Sequence, residues 1–272
     1  MKIVSSNIYP TRIMGVINAN EDSFFKSSRF EGINAISKIE QMIEDGADII
    51  DIGGVSSRPG SVNISVEEEL ARVQPIIDLI NEQKLYEKVN FSLDSYQSKV
   101  LDYALNRGFK IVNDITGLQN DEVCKVAASY KATVIIMHMQ NNPNNMQDKP
   151  SYNNVVLDID NFFKQRVAKA LDFGVKDIIL DVGIGFGKTL EHNLTLLKNL
   201  DYFKHFGYEI LIGASRKSMI DKIVPSSIEQ RLPGTLAIHL KAIDNGASII
   251  RCHDVKEHFQ AIKVQEAINS IN

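Results

Sequence analysis

Two kinds of segment alternate along the whole sequence, and this alternation constrains the fold more than any other feature. Short runs rich in β-branched residues are each followed by a longer stretch in which apolar residues recur at helical spacing. The eight predicted strands are residues 12–17, 49–52, 89–93, 110–112, 133–137, 177–180, 209–212 and 248–250. The eight predicted helices are residues 33–45, 66–81, 97–106, 121–130, 155–173, 190–204, 230–245 and 256–270.

Strict alternation of strand and helix indicates parallel βα units. An open doubly wound sheet is the alternative, but such sheets commonly contain about five or six strands. Eight units within 272 residues favour a closed (β/α)8 TIM barrel instead, an α/β fold that occupies residues 1–272 as a single domain.

The charge balance argues against polyanionic partners. Thirty basic and 34 acidic residues give a net charge of −4, and no block of like charge is present. We therefore expect no nucleic-acid partner and no membrane partner. No apolar run is long enough for a membrane helix, and the first residues lack a signal-peptide pattern, so a cytoplasmic location is expected. Cys124 and Cys252 are too few for a disulfide framework and are predicted to be buried, inert thiols.

Polar residues stand at or just beyond the end of every predicted strand. In a parallel barrel these positions meet at the C-terminal mouth, where active sites form. A single such residue usually caps the following helix, but eight polar endings on one rim favour a ligand site. They are Asn18, Asp51, Asp94, Asn113, His138, Asp181, Ser215 and Arg251.

The rim residues fall into two chemical groups. Asp94, Asn113 and Asp181 suit a heterocycle with ring N–H and amino groups. A second group suits an anion such as phosphate, because arginine and lysine are its usual partners. That group comprises Ser57, Arg58, Lys217, Arg251 and His253.

A glycine-rich segment at residues 183–189 resembles a phosphate-binding P-loop but lacks its first glycine, which would fall on Val182. We expect these glycines to let the backbone pass close to a flat ligand, with Phe186 as an aromatic face. No arrangement typical of a protein nucleophile is present. The histidines outside the strand ends are predicted to be helix or surface residues: His192, His205, His239 and His258.

Eight motifs in this order resemble the dihydropteroate synthases, a family of pterin-binding enzymes. The resemblance runs from Met14 to Val255. Its motifs are MGVIN at residues 14–18, DIGGVSSRPG at 51–60, Asp94, IVNDITG at 111–117, MHMQ at 137–140, DVGIGFGK at 181–188, GASRK at 213–217 and RCHDV at 251–255.

The resemblance implies a reaction that joins 6-hydroxymethyl-7,8-dihydropterin pyrophosphate to p-aminobenzoate in folate biosynthesis, releasing pyrophosphate. It also implies a transferase that uses Mg²⁺, forms a homodimer and is a sulfonamide target. Lys217, Arg251, Asp94 and Asp181 would be the catalytic residues.

The resemblance further assigns residues to three parts of the site. The pterin would contact Asp94, Asn113, Ile115, Met137, Asp181, Phe186 and Lys217. The pyrophosphate would contact Asn18, Ser57, Arg58, Arg251 and His253, with Asn18 also reaching the magnesium ion. The p-aminobenzoate pocket would include Phe24, Pro59 and Ser218.

The chain departs from the family pattern mainly in the first loop. Lys26 replaces the loop's second acidic residue, and Ser27 and Ser28 replace a glycine pair. These changes alter charge and hinge freedom in a segment expected to close over substrate. Ser57 stands where the family has threonine, and Val182 stands where it usually has proline.

Two other functions remain open at this point. A pterin-binding methyltransferase domain would share the barrel and the pterin contacts, but it would not need the anion-binding residues. A catalytically silent pterin-binding paralogue is motivated by the altered loop at residues 26–28.

Overall fold

The computed structural model describes residues 10–19, 28–55, 64–141, 143 and 145–271, with the side chains of 28–33 left out. Eight strands lie in these ranges, as predicted, and each differs from its predicted bounds by at most two residues at either end. They are β1 (Arg12–Asn18), β2 (Ile49–Gly53), β3 (Asn90–Asp94), β4 (Ile111–Asp114), β5 (Thr133–Met137), β6 (Ile178–Asp181), β7 (Glu209–Ile212) and β8 (Ile249–Cys252).

The strands form a closed barrel in the order of the sequence. Each strand pairs in parallel with the next, and β8 closes the ring on β1 through pairs such as Met14 with Arg251. The strands are apolar on both faces because one face fills the barrel and the other packs under the helices. The (β/α)8 TIM-barrel prediction is therefore confirmed.

Nine α-helices lie in the described part of the chain. They are α1 (Ser28–Glu44), α2 (Val66–Glu82), α3 (Ser98–Leu105), α4 (Asp121–Ser129), α5 (Val155–Asp172), α6 (Leu190–Lys198), α7 (Ser218–Ile223), α8 (Leu232–Asp244) and α9 (Val255–Asn269). Three 3₁₀ turns accompany them at Leu85–Glu87, Leu200–Phe206 and Ile228–Arg231.

These bounds correct one helix prediction and add one helix. The helix predicted over residues 190–204 ends at Lys198, since Asn199 leaves helical geometry with a φ of −111° and a ψ of 29°. The Asn199 side chain caps this end by donating to the Thr195 carbonyl at 2.8 Å. The chain continues as a 3₁₀ turn in which Leu200 and Phe203 stay buried, and this burial explains the continuous apolar spacing. The six-residue α7 was not predicted.

Two apolar layers surround the strands. Outward-facing residues such as Ile50 and Leu180 join a large cluster with helix residues such as Ile77 and Phe163. A separate inward-facing cluster fills the lower barrel, and we call it the floor. It comprises Met14, Ile49, Ile111, Ile135, Ile179, Leu211 and Ile249, all at most 4% exposed. The floor closes the barrel from below, so a ligand can enter only at the opposite end.

Within the described ranges, no helix combines the length and apolar character that crossing a membrane requires. The single-domain prediction for residues 1–272 is not tested by these features and stays a prediction.

Candidate active site at the mouth of the barrel

Polar side chains replace the floor residues one step further along the strands. Side chains two residues apart on a strand point to the same face, so these positions also face the barrel interior. Asp51, Asn113, Asp181 and Arg251 follow Ile49, Ile111, Ile179 and Ile249 in this way. We call the layer they form, with Asp94 and Lys217, the mouth.

Arg251 lies at the centre of the mouth between two carboxylates. Its Nε donates to Asp51 Oδ2 at 2.7 Å and its Nη2 donates to Asp94 Oδ2 at 2.9 Å. Asn113 Nδ2 donates to the same Asp51 oxygen at 3.1 Å. Burial alone would lower the pKa of Arg251, but the charges of Asp51 and Asp94 outweigh it and raise that pKa. Arg251 is therefore a permanent cation fixed in position by strands β2 and β3.

Asp94 carries a strongly shifted pKa. Burial raises it to about 7, the Arg251 charge opposes the rise, and the nearby Asp51 and Glu69 add to it. A carboxyl group in this state can accept hydrogen bonds when ionised and donate one when protonated. Perturbed acids of this kind cluster at functional sites.

Asp181, Phe186 and Lys217 form the second wall of the mouth. Asp181 Oδ1 accepts from the Gly183 amide at 2.8 Å. Lys217 Nζ donates to the Ile184 carbonyl and lies 4.4 Å from the centroid of the Phe186 ring. Burial lowers the pKa of Lys217 to about 8, although the negative charge of Asp181 opposes this shift. The wall thus places an aromatic face, a cation and a carboxylate side by side.

The glycine-rich loop after β6 is held by a buried lysine that the sequence did not single out. Lys188 Nζ contacts His138 Nδ1 at 3.0 Å and donates to the carbonyls of Gly183 and Phe186, both at 2.9 Å. Gly183 has a φ of +68°, and a Cβ there would lie 1.9 Å from the His138 carbonyl oxygen. The glycines therefore let this loop lie close to the backbone at His138. Lys188, which ends the glycine run, was the sequence signal that this loop is held by a lysine.

His138 directly follows the end of β5, as predicted, but its side chain has a structural role. The residue is 6% exposed, and its ring contacts Lys188 of the glycine-rich loop. Burial and the Lys188 charge lower the pKa of His138 to about 2. The ring is a neutral structural group, which a strand-end position could not reveal.

The loops after β7 and β8 contact each other beside the mouth. Ser215 Oγ and His253 Nδ1 are 2.9 Å apart. Arg216, in the GASRK motif at residues 213–217, forms a paired contact with the Asp254 carboxylate at 2.9 and 2.6 Å. Its guanidinium therefore holds the two loops together, while Lys217 extends toward the mouth.

The remaining predicted residues lie at strand ends, at the start of α7 or outside the described residues. Ile115 and Met137 are 6% and 3% exposed at the ends of β4 and β5. Asn18 ends β1 and is half-buried beside Gly53 of β2, and Ser218 begins α7 on the surface. Phe24, Ser57, Arg58 and Pro59 lie outside the described residues, so their predicted contacts stay predictions.

The buried pair His239 and His258 was also missed as a paired feature. Both histidines lie on helices, as predicted, but each is only 1% exposed and their rings are hydrogen-bonded to each other. Sequence offered one weak signal, since Thr235 and His239 are four residues apart and share a helix face.

Comparison with known proteins supports the same chemistry. The sequence model of the family described as Pterin binding enzyme matches residues 14–253. The dihydropteroate synthase of Haemophilus influenzae is 39% identical, with 98% of each chain covered.

Solved structures agree in both sequence and fold. A Yersinia pestis dihydropteroate synthase in a sulfonamide drug complex has a TM-score of 0.88 and 36% identity, covering 96% of this chain and 94% of that one. The Clostridium difficile enzyme, crystallised in the presence of pteroic acid, has a TM-score of 0.88 and 38% identity over 98% and 99% of the two chains. Since family match, identity and fold coincide over nearly the full length, this chain belongs to the dihydropteroate synthase family of pterin-binding enzymes.

Proposed function

We propose that this enzyme is a transferase that moves the dihydropterin-6-ylmethyl group of 6-hydroxymethyl-7,8-dihydropterin pyrophosphate onto the amino group of p-aminobenzoate, yielding 7,8-dihydropteroate and pyrophosphate. The observation that carries the proposal is the position of Arg251, a cation fixed between Asp51 and Asp94. Lys217 adds a second cation near Asp181 in the same mouth. Pteroic acid, present with the related Clostridium difficile enzyme, contains both the pterin and the p-aminobenzoate parts.

The pterin ring is assigned to the wall formed by Asp181, Phe186 and Lys217. Asp94, Asn113 and Asp181 offer acceptors for the ring N–H and amino groups, and Lys217 offers a donor for the carbonyl oxygen. The Phe186 ring provides an aromatic face for stacking. Buried side chains of Ile115 and Met137 add apolar surface, and they support a flat heterocycle in preference to a sugar.

The pyrophosphate is assigned to the cationic side of the mouth. Arg251 is the fixed cation. His253 lies on the loop that follows β8 and contacts Ser215. Ser57 and Arg58 are proposed to complete this anion site from the loop after β2. Asn18, at the end of the neighbouring β1, is proposed to contact the magnesium ion.

The donor set fits magnesium only together with substrate oxygens. Among the described residues, no cluster of three or more histidine, cysteine or acidic side chains could hold a metal alone. Mg²⁺ keeps several waters and commonly binds through one or two protein oxygens plus substrate phosphates, so a single amide oxygen from Asn18 is compatible. When bound, the ion would neutralise charge on the departing pyrophosphate.

The chain's own residues provide the remaining catalysis by position and charge. The bond between the pterin methylene carbon and the pyrophosphate oxygen breaks, and its electron pair leaves with the pyrophosphate. Arg251 faces the growing negative charge, while Asp94 and Asp181 stabilise the positive charge left on the pterin. The arylamine nitrogen then bonds to the methylene carbon and loses a proton to solvent. Phe24, Pro59 and Ser218 are proposed to position the p-aminobenzoate for this attack.

A pyrophosphate-release assay with both substrates tests the proposal. The wild type should release pyrophosphate only when both substrates are present, and Lys217→Ala should abolish that release because the pterin carbonyl loses its donor. Lys198→Ala, on the outer helix α6, is the matched lysine control and should keep wild-type turnover.

The outcomes also separate the two alternatives. Near-wild-type turnover in Lys217→Ala contradicts the assignment. Binding of the pterin pyrophosphate without any release on adding p-aminobenzoate indicates a silent paralogue. Failure to bind pyrophosphate with magnesium, measured by calorimetry, favours the methyltransferase alternative.

We further propose a homodimer and a cytoplasmic location. On the last helix, α9, Ile262 is buried against the barrel while Phe259 and Ile268 are 41% and 65% exposed. These exposed apolar side chains support the dimer proposal.

The cysteines support the proposed location. Cys124 and Cys252 are buried free thiols, which suits a reducing compartment.

A further inference from the structure

Two buried histidines connect the backbones of the two loops that bear the anion-binding residues. The Ala214 amide, in the loop that leads to Lys217, donates to His239 Nε2 at 3.0 Å. His239 Nδ1 lies 2.8 Å from His258 Nε2. His258 Nδ1 lies 2.6 Å from the Asp254 carbonyl oxygen, in the loop that follows Arg251.

These contacts fix the position of every proton in the series. The Ala214 N–H can only donate, so His239 Nε2 is an acceptor and its proton is on Nδ1. His239 Nδ1 therefore donates to His258 Nε2, and the His258 proton is on Nδ1, where it donates to the Asp254 carbonyl. All the hydrogen bonds form only if both rings are neutral, because a further proton on either Nε2 would face another N–H.

The surroundings of both rings support the neutral form. Burial, the facing His258 ring, and then the charges of Lys217 and His253 hold the pKa of His239 well below its ordinary value. Burial also lowers the pKa of His258, although the Asp254 carbonyl and the charges of Asp254 and Glu257 oppose the shift.

Helix α8 also holds the loop that leads to Lys217 at a second point. Thr235, one turn before His239, accepts from the Arg216 amide at 3.0 Å. The loop between β7 and α7 is thus held through the amides of Ala214 and Arg216, one on either side of Ser215. Of these two amide contacts, the one to His239 continues through His258 of α9 to the loop that follows Arg251, in addition to the direct Arg216–Asp254 contact between the two loops.

We propose that His239 and His258 are positioning residues whose neutral, directional hydrogen-bond relay fixes the loop bearing Lys217 against the loop bearing His253. The relay deepens the proposed function, on which it rests for the identity of the bound pyrophosphate. It acts from beneath the site and contacts no substrate. Its loss should therefore weaken binding of the pyrophosphate group more than it slows the chemical step.

The first test needs no variant and no activity. Long-range ¹H–¹⁵N correlation spectra of the ¹⁵N-histidine-labelled enzyme at pH 8 should show His239 and His258 both protonated on Nδ1. Free histidine side chains mainly carry the proton on Nε2, so this signature is specific to the relay. An Nε2 proton on either ring overturns the proposal, even if the enzyme is fully active.

The second test compares two replacements of His258. His258→Leu removes the acceptor for His239, whereas the amide oxygen of His258→Gln can replace Nε2. His258→Leu should raise the KM for the pterin pyrophosphate about tenfold, because about one to two hydrogen bonds are lost. Its kcat should stay within about twofold of the wild-type value. His258→Gln should recover a large part of this loss. Binding of inorganic pyrophosphate with magnesium, measured by calorimetry, should weaken in parallel.

His205 supplies the matched control. It contacts Asp160 at 2.7 Å outside the mouth, and its side chain is 43% exposed. His205→Leu should leave the KM unchanged. An unchanged KM in folded His258→Leu, or equal KM values in the leucine and glutamine variants of His258, contradicts the relay. Absence of catalysis in the wild type would instead contradict the proposed function, while the protonation test would still stand.

Discussion

The floor and the mouth of the barrel are adjacent layers of the same strands, yet their chemistry is opposite. Ile49 and Asp51 on β2, like Ile249 and Arg251 on β8, are only two residues apart and face the same interior. The floor consists of apolar side chains in contact with one another. The mouth has an arginine between two carboxylates and a lysine beside an aromatic ring.

The difference shows how one strand can serve both stability and catalysis. Burial of the floor residues contributes hydrophobic free energy in proportion to area. Burial in the mouth instead shifts ionisation, raising the pKa of Asp94 to about 7 and lowering that of Lys217 to about 8. Substitutions in the two layers should therefore affect different measurements.

The largest expected effect is on activity, from a change at the centre of the mouth. Arg251→Ala removes the cation that faces the pyrophosphate and leaves Asp51 and Asp94 without their shared partner. We expect product formation to fall about a thousandfold or more. The rate of pyrophosphate release under saturating substrates measures it, with circular dichroism to confirm folding.

Arg251→Lys is the control, because it keeps the charge but cannot reach both carboxylates through a planar guanidinium. Its activity should lie between those of the wild type and the alanine variant. Turnover near the wild-type level in Arg251→Ala would show that the mouth is not the catalytic layer.

The second prediction concerns the floor. Ile135 is fully buried there, so Ile135→Ala should reduce the free energy of unfolding by about 3 kcal/mol through lost contacts and a cavity. Denaturant unfolding measures this loss. The KM for both substrates should stay within about twofold of the wild type in the variant that remains folded.

Ile135→Val supplies the graded control and should cost about 1 kcal/mol. If Ile135→Ala instead raised the KM strongly while the unfolding free energy hardly changed, the two layers would not be functionally separate.

The sequence predicted the strands and the polar mouth because both depend on local periodicity. A period of two reports which strand residues face the interior, and parallel strands bring their ends to one rim. Asp94, Asn113 and Arg251 were therefore predicted at the rim, and the structure brings them within hydrogen-bond distance of one another or of Asp51.

The sequence could not predict how these residues pair. Arg251 contacts carboxylates that are 200 and 157 residues away in the chain, and periodicity carries no information about such partners. The resemblance assigned Arg251 to the pyrophosphate, whereas the structure also shows its contacts with Asp51 and Asp94. The His138–Lys188 and His239–His258 contacts depend on tertiary packing in the same way.

The smallest expected effect tests whether the buried charge of the mouth, unlike the apolar floor, lowers the stability of the native state. Asp94 has an ordinary pKa of 3.8 when unfolded and about 7 in the native state. Between these values the native state holds a proton that the unfolded chain has released. Native stability due to this group is therefore complete below about pH 4 and is lost as pH rises through about 7.

Asp94→Asn removes this titration while keeping an oxygen that can accept from Arg251. Relative to the wild type, the variant should gain about 2 kcal/mol of unfolding free energy between pH 5 and pH 8, although its activity falls. Denaturant unfolding at the two pH values measures the gain. Asp121→Asn is the control, because the hydrogen bond from Lys169 lowers the pKa of the exposed Asp121 carboxyl, which is therefore ionised in both the folded and the unfolded state at pH 5 and pH 8. Its replacement should leave the pH dependence of stability in this range unchanged. If the unfolding free energies of Asp94→Asn and the wild type changed with pH in parallel, burial of the Asp94 carboxylate would not destabilise the native state. The floor and the mouth would then differ in polarity alone.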